Sequence, residues 1–357
     1  MVIRRKPLSP EQHQALHEGL VIPAHPLALD VHRRLSIAHQ RALTRYYMAA
    51  GAGGIAVGVH STQFEIRDPK YGLYEQVLQL ASEEVERARL TRPFIRIAGL
   101  CGEAEQAVRE AETAVQLGYD AGLLSMGGLQ HLSESDILKR TERVAEIMPV
   151  VGFYLQPSVG GKVFSYAFWR EFADIPGIVA IKLAPFNRYQ TLDVVRAVCS
   201  SDRRDDIALY TGNDDNIIND LLTVYRFNVN GRPVEKRIAG GLLGHWAVWT
   251  KRAVELLEEI KKARSLTEGI APEWLTRSVE VTDANAAFFD PAHGFAGCIP
   301  GIHEVLRRQG LLQGTWCLNP RETLSDGQSE EIDRIYRDYP HLHDDDFVER
   351  HLMQWLA

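Results

Sequence analysis

The chain has 357 residues, 45% of them hydrophobic and 24% charged, the balance of a soluble globular protein with a large core. Its formal net charge is −7, and the absence of Lys/Arg blocks argues against binding to nucleic acid or an anionic membrane. We expect no secretory signal and no spanning helix, because no long apolar run occurs. The four scattered cysteines form no CxxC pair, which favours reduced thiols in a cytoplasmic protein over a zinc site.

Short apolar runs alternate with amphipathic helical patterns along most of the chain. The runs predict strands at 21–26, 54–59, 94–98, 121–124, 150–155, 178–181, 207–210 and 238–243. Helices are predicted at 37–50, 103–117, 133–147, 191–199 and 246–263, and in the tail at 301–309, 329–336 and over the last residues. Gly51 and Gly118 suit left-handed helix caps, and the Asn-Gly pair within 228–237 suits a small hairpin.

The predicted strands are apolar on both faces, as a parallel sheet covered by helices requires. Eight strand–helix units in roughly 240 residues match a (β/α)8 TIM barrel. A doubly wound open sheet is the alternative, but no GxGxxG turn follows the first strand. We therefore predict an α/β barrel of residues 1–265, with a C-terminal helical extension of residues 266–357 packed on it.

Two candidate catalytic residues lie near predicted strand ends, where barrel active sites form. Lys182 directly follows the sixth strand run and closes the segment Gly177-Ile-Val-Ala-Ile-Lys182, and desolvation in a barrel mouth would lower its pKa and supply a neutral amine that attacks a ketone. Tyr154 lies near the end of the fifth run, and a phenol beside such an amine can transfer protons. Taken alone, each residue also fits a plain structural role, with Lys182 facing solvent or a carboxylate and Tyr154 packed at a strand end.

Two loops carry candidate binding groups. Ser61 and Thr62 follow the second strand in a turn that could present hydroxyl and N–H groups to a carboxylate, although such residues are commonly turn or cap residues. Residues 211–215 follow the seventh strand and could bind substrate hydroxyls, or Asp214 could cap the next helix.

Taken in order, these features resemble the dihydrodipicolinate synthase/N-acetylneuraminate lyase family. The resemblance extends from about residue 21 to residue 336. It rests on the 28-residue separation of Tyr154 and Lys182 and on motifs similar to the family's: Gly58-Val-His-Ser-Thr62, Tyr154-Leu-Gln-Pro-Ser158, Gly212-Asn-Asp214, Gly240-Gly-Leu-Leu-Gly244 and Val305-Leu-Arg-Arg-Gln-Gly-Leu-Leu312.

The resemblance implies a lyase, aldolase or dehydratase acting on pyruvate or another 2-oxo acid, with no metal or organic cofactor. Lys182 would form the Schiff base and Tyr154 would move protons. The implied substrate-binding residues are Ser61, Thr62, Gly212, Asp214 and Gly241. The family also implies a homo-oligomer, a dimer or a tetramer.

Departures from the family pattern argue against true dihydrodipicolinate synthesis. Val159 stands where the synthases carry an arginine after the Tyr-x-x-Pro-Ser element, and Leu124-Ser-Met-Gly-Gly128 lacks their relay tyrosine. These losses motivate an alternative function, a catalytically altered barrel that serves as a 2-oxo acid sensor or scaffold.

Histidines leave further alternatives open. His60 and His245 either tune the substrate pocket or are structural. A metal-dependent hydrolase using His25, His60 and Asp214 is disfavoured, because no HxH pair follows the first strand.

Overall fold

The computed structural model describes residues 6–266 and 269–357, and its fold is a (β/α)8 barrel with additional C-terminal helices. The strands are β1 (Val21–Pro23), β2 (Gly54–Val57), β3 (Ile95–Leu100), β4 (Ala121–Ser125), β5 (Val150–Leu155), β6 (Ile178–Ala184), β7 (Ala208–Thr211), β8 (Val224–Val229) and β9 (Arg232–Leu243). The helices are α1 (Pro10–Glu18), α2 (Ile37–Ala50), α3 (Tyr74–Ala88), α4 (Ala104–Gln116), α5 (Glu134–Ala145), α6 (Tyr166–Asp174), α7 (Arg188–Cys199), α8 (Ile217–Leu222), α9 (Thr250–Ser265), α10 (Glu273–Phe289), α11 (Cys298–Arg308), α12 (Gln328–Asp338) and α13 (Asp345–Leu356). Every predicted parallel strand and helix has a counterpart among them.

The chain divides into two compact units. The first comprises residues up to 20, 95–213 and 219–242, and the second comprises residues 21–94, 214–218 and 243–357. The predicted boundary at residue 265 is a different division of the chain, and it stays a prediction. None of the helices in residues 6–266 and 269–357 is long and apolar enough to cross a membrane.

In the first unit, parallel strands follow one another in the order β9-β7-β6-β5-β4-β3. The side chains of β3, β4, β5, β6 and β7 are almost entirely buried, as strands covered on both faces must be. The register between β5 and β6 shifts by one residue near its start: Val150 pairs with Ile178, but Val151 pairs with Ala180. This bulge decides which β5 side chain lies beside Lys182.

The predicted hairpin precedes the last parallel strand. β8 and the first half of β9 pair antiparallel, with Val229 opposite Arg232, so the loop contains only Asn230 and Gly231. Both loop residues have positive φ, 51° and 79°. Such a two-residue turn demands φ > 0 at both positions, which is why Asn-Gly occupies it.

In the second unit, a parallel bridge between Ala24 and Ala56 connects the ends of β1 and β2. The predicted C-terminal helix is α13, and it buries Val348 and Trp355. A buried carboxylate anchors the segment before it: Asp344 accepts a hydrogen bond from the Tyr46 hydroxyl at 2.7 Å and another from the Lys251 backbone N–H at 2.9 Å.

Three buried histidines of this unit are expected to lower its unfolding free energy at acidic pH. Burial lowers the pKa of His25 to about 4, of His245 to about 3 and of His303 to about 4. As the pH falls from about 6.5 to about 4, these histidines become protonated in the unfolded chain but stay neutral in the folded chain, so the unfolding free energy decreases.

We expect protonation of His25 alone to lower the unfolding free energy by on the order of 3 kcal/mol between pH 6.5 and pH 4. Urea unfolding at stepped pH checks this, and His25→Gln should flatten the dependence; an unchanged slope would contradict it.

Candidate functional site

Lys182 lies inside β6, two residues before the strand ends, rather than at its last position. The side chain is 8% exposed. In the sheet, Lys182 is in register with Phe153 of β5 and with Tyr210 of β7. Its Nζ lies 4.4 Å from the centre of the Phe153 ring, a distance at which an aromatic face attracts an ammonium group. The lysine therefore lies in a largely apolar environment near the carboxyl edge of the sheet.

Tyr154 does not occupy the predicted position beside Lys182. The register pairs Tyr154 with Leu183, one residue past the lysine. Because successive strand residues project to opposite faces, Tyr154 and Lys182 project to opposite faces of the sheet. The β5 neighbour on the lysine's own face is Phe153, which the sequence analysis did not predict.

The phenol of Tyr154 packs among aromatic side chains at the start of α6. Its ring centre lies 5.0 Å from that of Trp169 and 5.9 Å from that of Phe164. The hydroxyl is buried and has no hydrogen-bond partner in residues 6–266 and 269–357. Burial raises the pKa of Tyr154 to about 12. The catalytic role of Tyr154 stays a prediction, and this geometry argues against it.

Tyr154→Phe tests that role directly. We expect the variant to keep imine formation at Lys182 within about twofold, because the hydroxyl lies on the other face of the sheet. Losing an unpartnered buried hydroxyl should also leave the unfolding free energy unchanged or slightly higher. Imine trapping and urea unfolding measure both effects. A loss of trapping of a hundredfold or more would restore Tyr154 as the proton shuttle.

Gly212 provides the space that Lys182 occupies. A Cβ atom on this glycine would lie 2.5 Å from Cε of Lys182 and 2.9 Å from Cβ of Ala184. Its backbone N–H donates to the Leu183 carbonyl at 2.6 Å. Only a glycine leaves room here for the lysine as placed. The structure thus brings Gly212 and Lys182 together, while substrate binding by Gly212 stays a prediction.

A buried carboxylate organises the turn after β7. Asp220 of α8 accepts a hydrogen bond from Arg188, one from the Thr211 hydroxyl at 2.7 Å and one from the Asn213 amide at 2.9 Å. The Asn213 side-chain oxygen accepts the Phe186 backbone N–H at 3.0 Å. Asn213 is therefore committed to holding the loops after β6 and β7.

Removing this carboxylate is expected to destabilise the first unit. Asp220 is fully buried, and Asp220→Ala leaves Arg188, Thr211 and Asn213 without their acceptor. Asp220 is buried but the Arg188 side chain is 41% exposed, so water screens part of the ion pair, and we expect a loss of about 1.5–3 kcal/mol of unfolding free energy. Urea unfolding measures the loss. Asp193→Ala, which removes an exposed ion pair with Arg196, serves as the control and should lower the unfolding free energy by less than about 1 kcal/mol. Equal losses in the two variants would contradict a stabilising role for the Asp220 network.

In the second unit, Asp214 and His245 are close neighbours. Asp214 Oδ1 accepts the backbone N–H of His245 at 3.0 Å. The His245 ring lies edge-on to Phe288 at 4.9 Å, and its Nδ1 lies 3.3 Å from the Asn285 amide nitrogen. With its pKa lowered by burial, His245 is a neutral, packed histidine, which favours its structural interpretation.

Ser61 and Thr62 are both buried and bonded to the backbone after β1. The Ser61 hydroxyl donates to the Ala24 carbonyl at 2.8 Å, and that of Thr62 donates to the His25 carbonyl at 2.6 Å. Thr62 Oγ1 also accepts the backbone N–H groups of residues 58 and 59. Since both hydroxyl protons are used internally, binding of a carboxylate by these residues stays a prediction.

Two further sequence-predicted residues lie elsewhere. Gly241 of β9 is in register with Thr211, and its N–H donates to the Leu20 carbonyl at 3.1 Å, so its role in substrate binding is also untested. His60 lies edge-on to Phe64 at 5.9 Å. In the described parts of the chain, no group of three or more His, Cys, Asp or Glu side chains could hold a metal ion.

The fold of this chain is similar to that of several solved structures. The fold is similar to that of dihydrodipicolinate synthase from Oceanobacillus iheyensis (TM-score 0.71, 14% identity, 92% of this chain and 99% of that chain). It is also similar to N-acetylneuraminate lyase from Fusobacterium nucleatum (TM-score 0.69, 16% identity, 91% of this chain and 99% of that chain). A third similar structure is that of a prophage protein of the dihydrodipicolinic acid synthase family from E. coli K12, in complex with pyruvate (TM-score 0.71, 17% identity, 91% of this chain and 99% of that chain). No protein-family model and no curated protein matches the sequence. Because the sequence identities are only 14–17%, these similarities confirm the predicted resemblance for the fold alone.

Proposed function

We propose that the protein is a lyase of the Schiff-base aldolase type, acting on pyruvate or another 2-oxo acid. The observation that carries the proposal is the position of Lys182, a nearly buried amine two residues before the end of β6, in a fold that is similar to that of an N-acetylneuraminate lyase. One similar structure holds pyruvate. A lysine shielded from water in an apolar environment is a suitable nucleophile for a ketone.

The mechanism follows from the amine. Neutral Lys182 attacks the carbonyl carbon of the 2-oxo acid, water leaves, and a protonated imine forms. The imine withdraws electrons from the adjacent carbon, so a bond there can break or form. Whether the bond is carbon–carbon or carbon–oxygen is set by the second substrate. Ser61, Thr62, Gly212, Asp214 and Gly241 remain the proposed substrate-binding residues, on the strength of the family motifs.

Trapping with borohydride tests the proposal. The protein is incubated with pyruvate and with longer 2-oxo acids, reduced, digested and analysed by mass spectrometry. We expect a reduced adduct on Lys182 with at least one acid, and none on Lys162, a loop lysine of the same unit bonded to the Leu132 carbonyl. No adduct on Lys182 with any acid would overturn the proposal.

A second candidate function is a 2-oxo acid sensor or scaffold. Two observations favour it: Phe153, the neighbour of the amine on β5, carries no acid or base, and the hydroxyl of Tyr210, its neighbour on β7, is bonded to the backbone of Leu16 and Leu20. A panel of aldol donors and acceptors separates the two functions. Adduct formation without turnover of any pair supports the sensor, whereas turnover supports the lyase.

Assembly belongs to the proposal as well. We expect a homo-oligomer, a dimer or a tetramer, by analogy with the family that the sequence motifs resemble. Sedimentation equilibrium measures the mass, and a monomer at all concentrations would contradict this expectation.

A further inference from the structure

The strand registers show which side chains surround Lys182 on its own face of the sheet. In strand order, the register joins Ser125 of β4, Phe153 of β5, Lys182 of β6 and Tyr210 of β7. Residues in register on neighbouring parallel strands project to the same face of the sheet. We call these four residues the lysine row.

The next row towards the carboxyl ends of the strands is small and apolar. Strand residues two apart project to the same face, so Leu155 follows Phe153 and Ala184 follows Lys182. Leu155 and Ala184 are also in register with each other. A Cβ atom on Gly212 would lie 2.9 Å from Cβ of Ala184, which places Gly212 on this face as well. Leu155, Ala184 and Gly212, which we call the rim row, carry no polar side-chain atom.

The two rows offer few groups that could bind a substrate hydroxyl. The Tyr210 hydroxyl donates to the Leu16 carbonyl at 2.8 Å and accepts the Leu20 backbone N–H at 3.1 Å. Ser125 Oγ accepts the backbone N–H of residue 127 at 3.2 Å, which leaves its O–H group to donate. Lys182 is the one charged residue of the two rows.

The polar side chain that follows the rim row after β7 is used within the fold. The amide nitrogen of Asn213 donates to Asp220 at 2.9 Å, and its oxygen accepts the Phe186 backbone N–H at 3.0 Å. Asn213 therefore adds no hydroxyl-binding group beside the rim row.

We propose that the 2-oxo acid bound by Lys182 carries an apolar chain, an alkyl or aryl group, rather than a chain of hydroxyl groups. This inference rests on the proposed function and adds the substrate class to it. The ketone carbon bonds to Nζ, which lies 4.4 Å from the centre of the Phe153 ring, and a chain that continues towards the strand ends meets the rim row. An apolar chain gains contacts there, whereas each hydroxyl gives up its water partners without an equivalent protein partner.

The test compares two acids that share one carbon skeleton, 2-oxohexanoate and 4,5,6-trihydroxy-2-oxohexanoate. The rate of borohydride trapping on Lys182 is measured against the concentration of each acid, counted as its open-chain ketone by NMR. We expect the half-saturating concentration of 2-oxohexanoate to be at least about tenfold lower than that of the trihydroxylated acid. Equal concentrations, or a lower one for the trihydroxylated acid, would overturn the inference.

Pyruvate, measured alongside, separates this inference from the proposed function. If pyruvate is trapped on Lys182 but neither longer acid is, the chain finds no room, and this inference alone is wrong. If no acid gives an adduct on Lys182, the proposed function is wrong and this inference is wrong with it.

Leu155→Asn introduces a polar side chain of similar size into the rim row. We expect it to lower the preference for 2-oxohexanoate about tenfold, because an apolar contact is lost and an amide that can bond a hydroxyl is gained. Val163→Asn is the control, since Val163 is exposed on the loop after β5, and it should leave the preference unchanged.

Both acids are measured on one preparation, so a smaller folded fraction cancels in their ratio. An unchanged preference in Leu155→Asn would show that the chain does not meet the rim row and would contradict the inference. If Leu155→Asn does not fold, the ratio measured for the wild type decides.

Discussion

Lys182→Met is expected to abolish both borohydride trapping of 2-oxo acids and any lyase turnover. We expect turnover to fall by at least about a thousandfold, because removal of the nucleophile removes the covalent intermediate and not merely one contact. Methionine has similar length and suits the apolar surroundings of Phe153, so the unfolding free energy should change by less than about 1 kcal/mol. Trapping, turnover and urea unfolding are measured on the same preparation.

Lys182→Arg separates nucleophilicity from charge. Arginine keeps a cation near the Phe153 ring but cannot form the imine, because it stays protonated. If the arginine variant retained turnover, Lys182 would act only through its charge and the Schiff-base mechanism would be wrong. Loss of turnover in both variants, with folding intact, supports the imine.

The fold was predictable because its elements carry strong local signals. Buried parallel strands show as short apolar runs, and the hairpin shows as Asn230-Gly231, whose positive φ values suit few other residues. Strand ends were less predictable: β6 continues to Ala184, three residues beyond the predicted end, because its pairing with β5 continues to Leu155.

The site was predictable only in part, and the bulge in β6 explains why. The starting register, Val150 with Ile178, would place Tyr154 opposite Lys182 if it continued, as their separation of 28 residues implies. One extra residue in β6 shifts the pairing, so that Phe153 faces the lysine instead. A one-residue shift moves a side chain to the other face of the sheet. No residue type in the run marks the bulge.

The polar network after β7 was also beyond prediction. The motif Gly212-Asn-Asp214 indicates substrate-binding groups, yet Asn213 is held by Asp220 and Phe186 within the fold. Asp220 lies seven residues after Asn213, in the largely apolar helix α8. Its role depends on tertiary contacts with Arg188, which sequence spacing does not indicate.

Gly212→Ala is expected to lower imine formation about a hundredfold without removing any reactive group. The added methyl would lie 2.5 Å from Cε of Lys182 and 2.9 Å from Cβ of Ala184, so the lysine side chain must move. Displacing a reacting atom by about 1 Å can cost about a hundredfold in rate. The rate of trapping at saturating pyruvate measures the effect on the chemical step.

Gly127→Ala is the matched control, on the loop that follows β4. Its added methyl would meet its nearest neighbour, Leu155, at 3.3 Å, and Lys182 is not among its nearest contacts. Trapping in this variant should stay within about threefold of the wild type. If Gly212→Ala also trapped pyruvate at the wild-type rate, the amine would tolerate displacement, and the position of Lys182 beside Gly212 would not govern its reactivity.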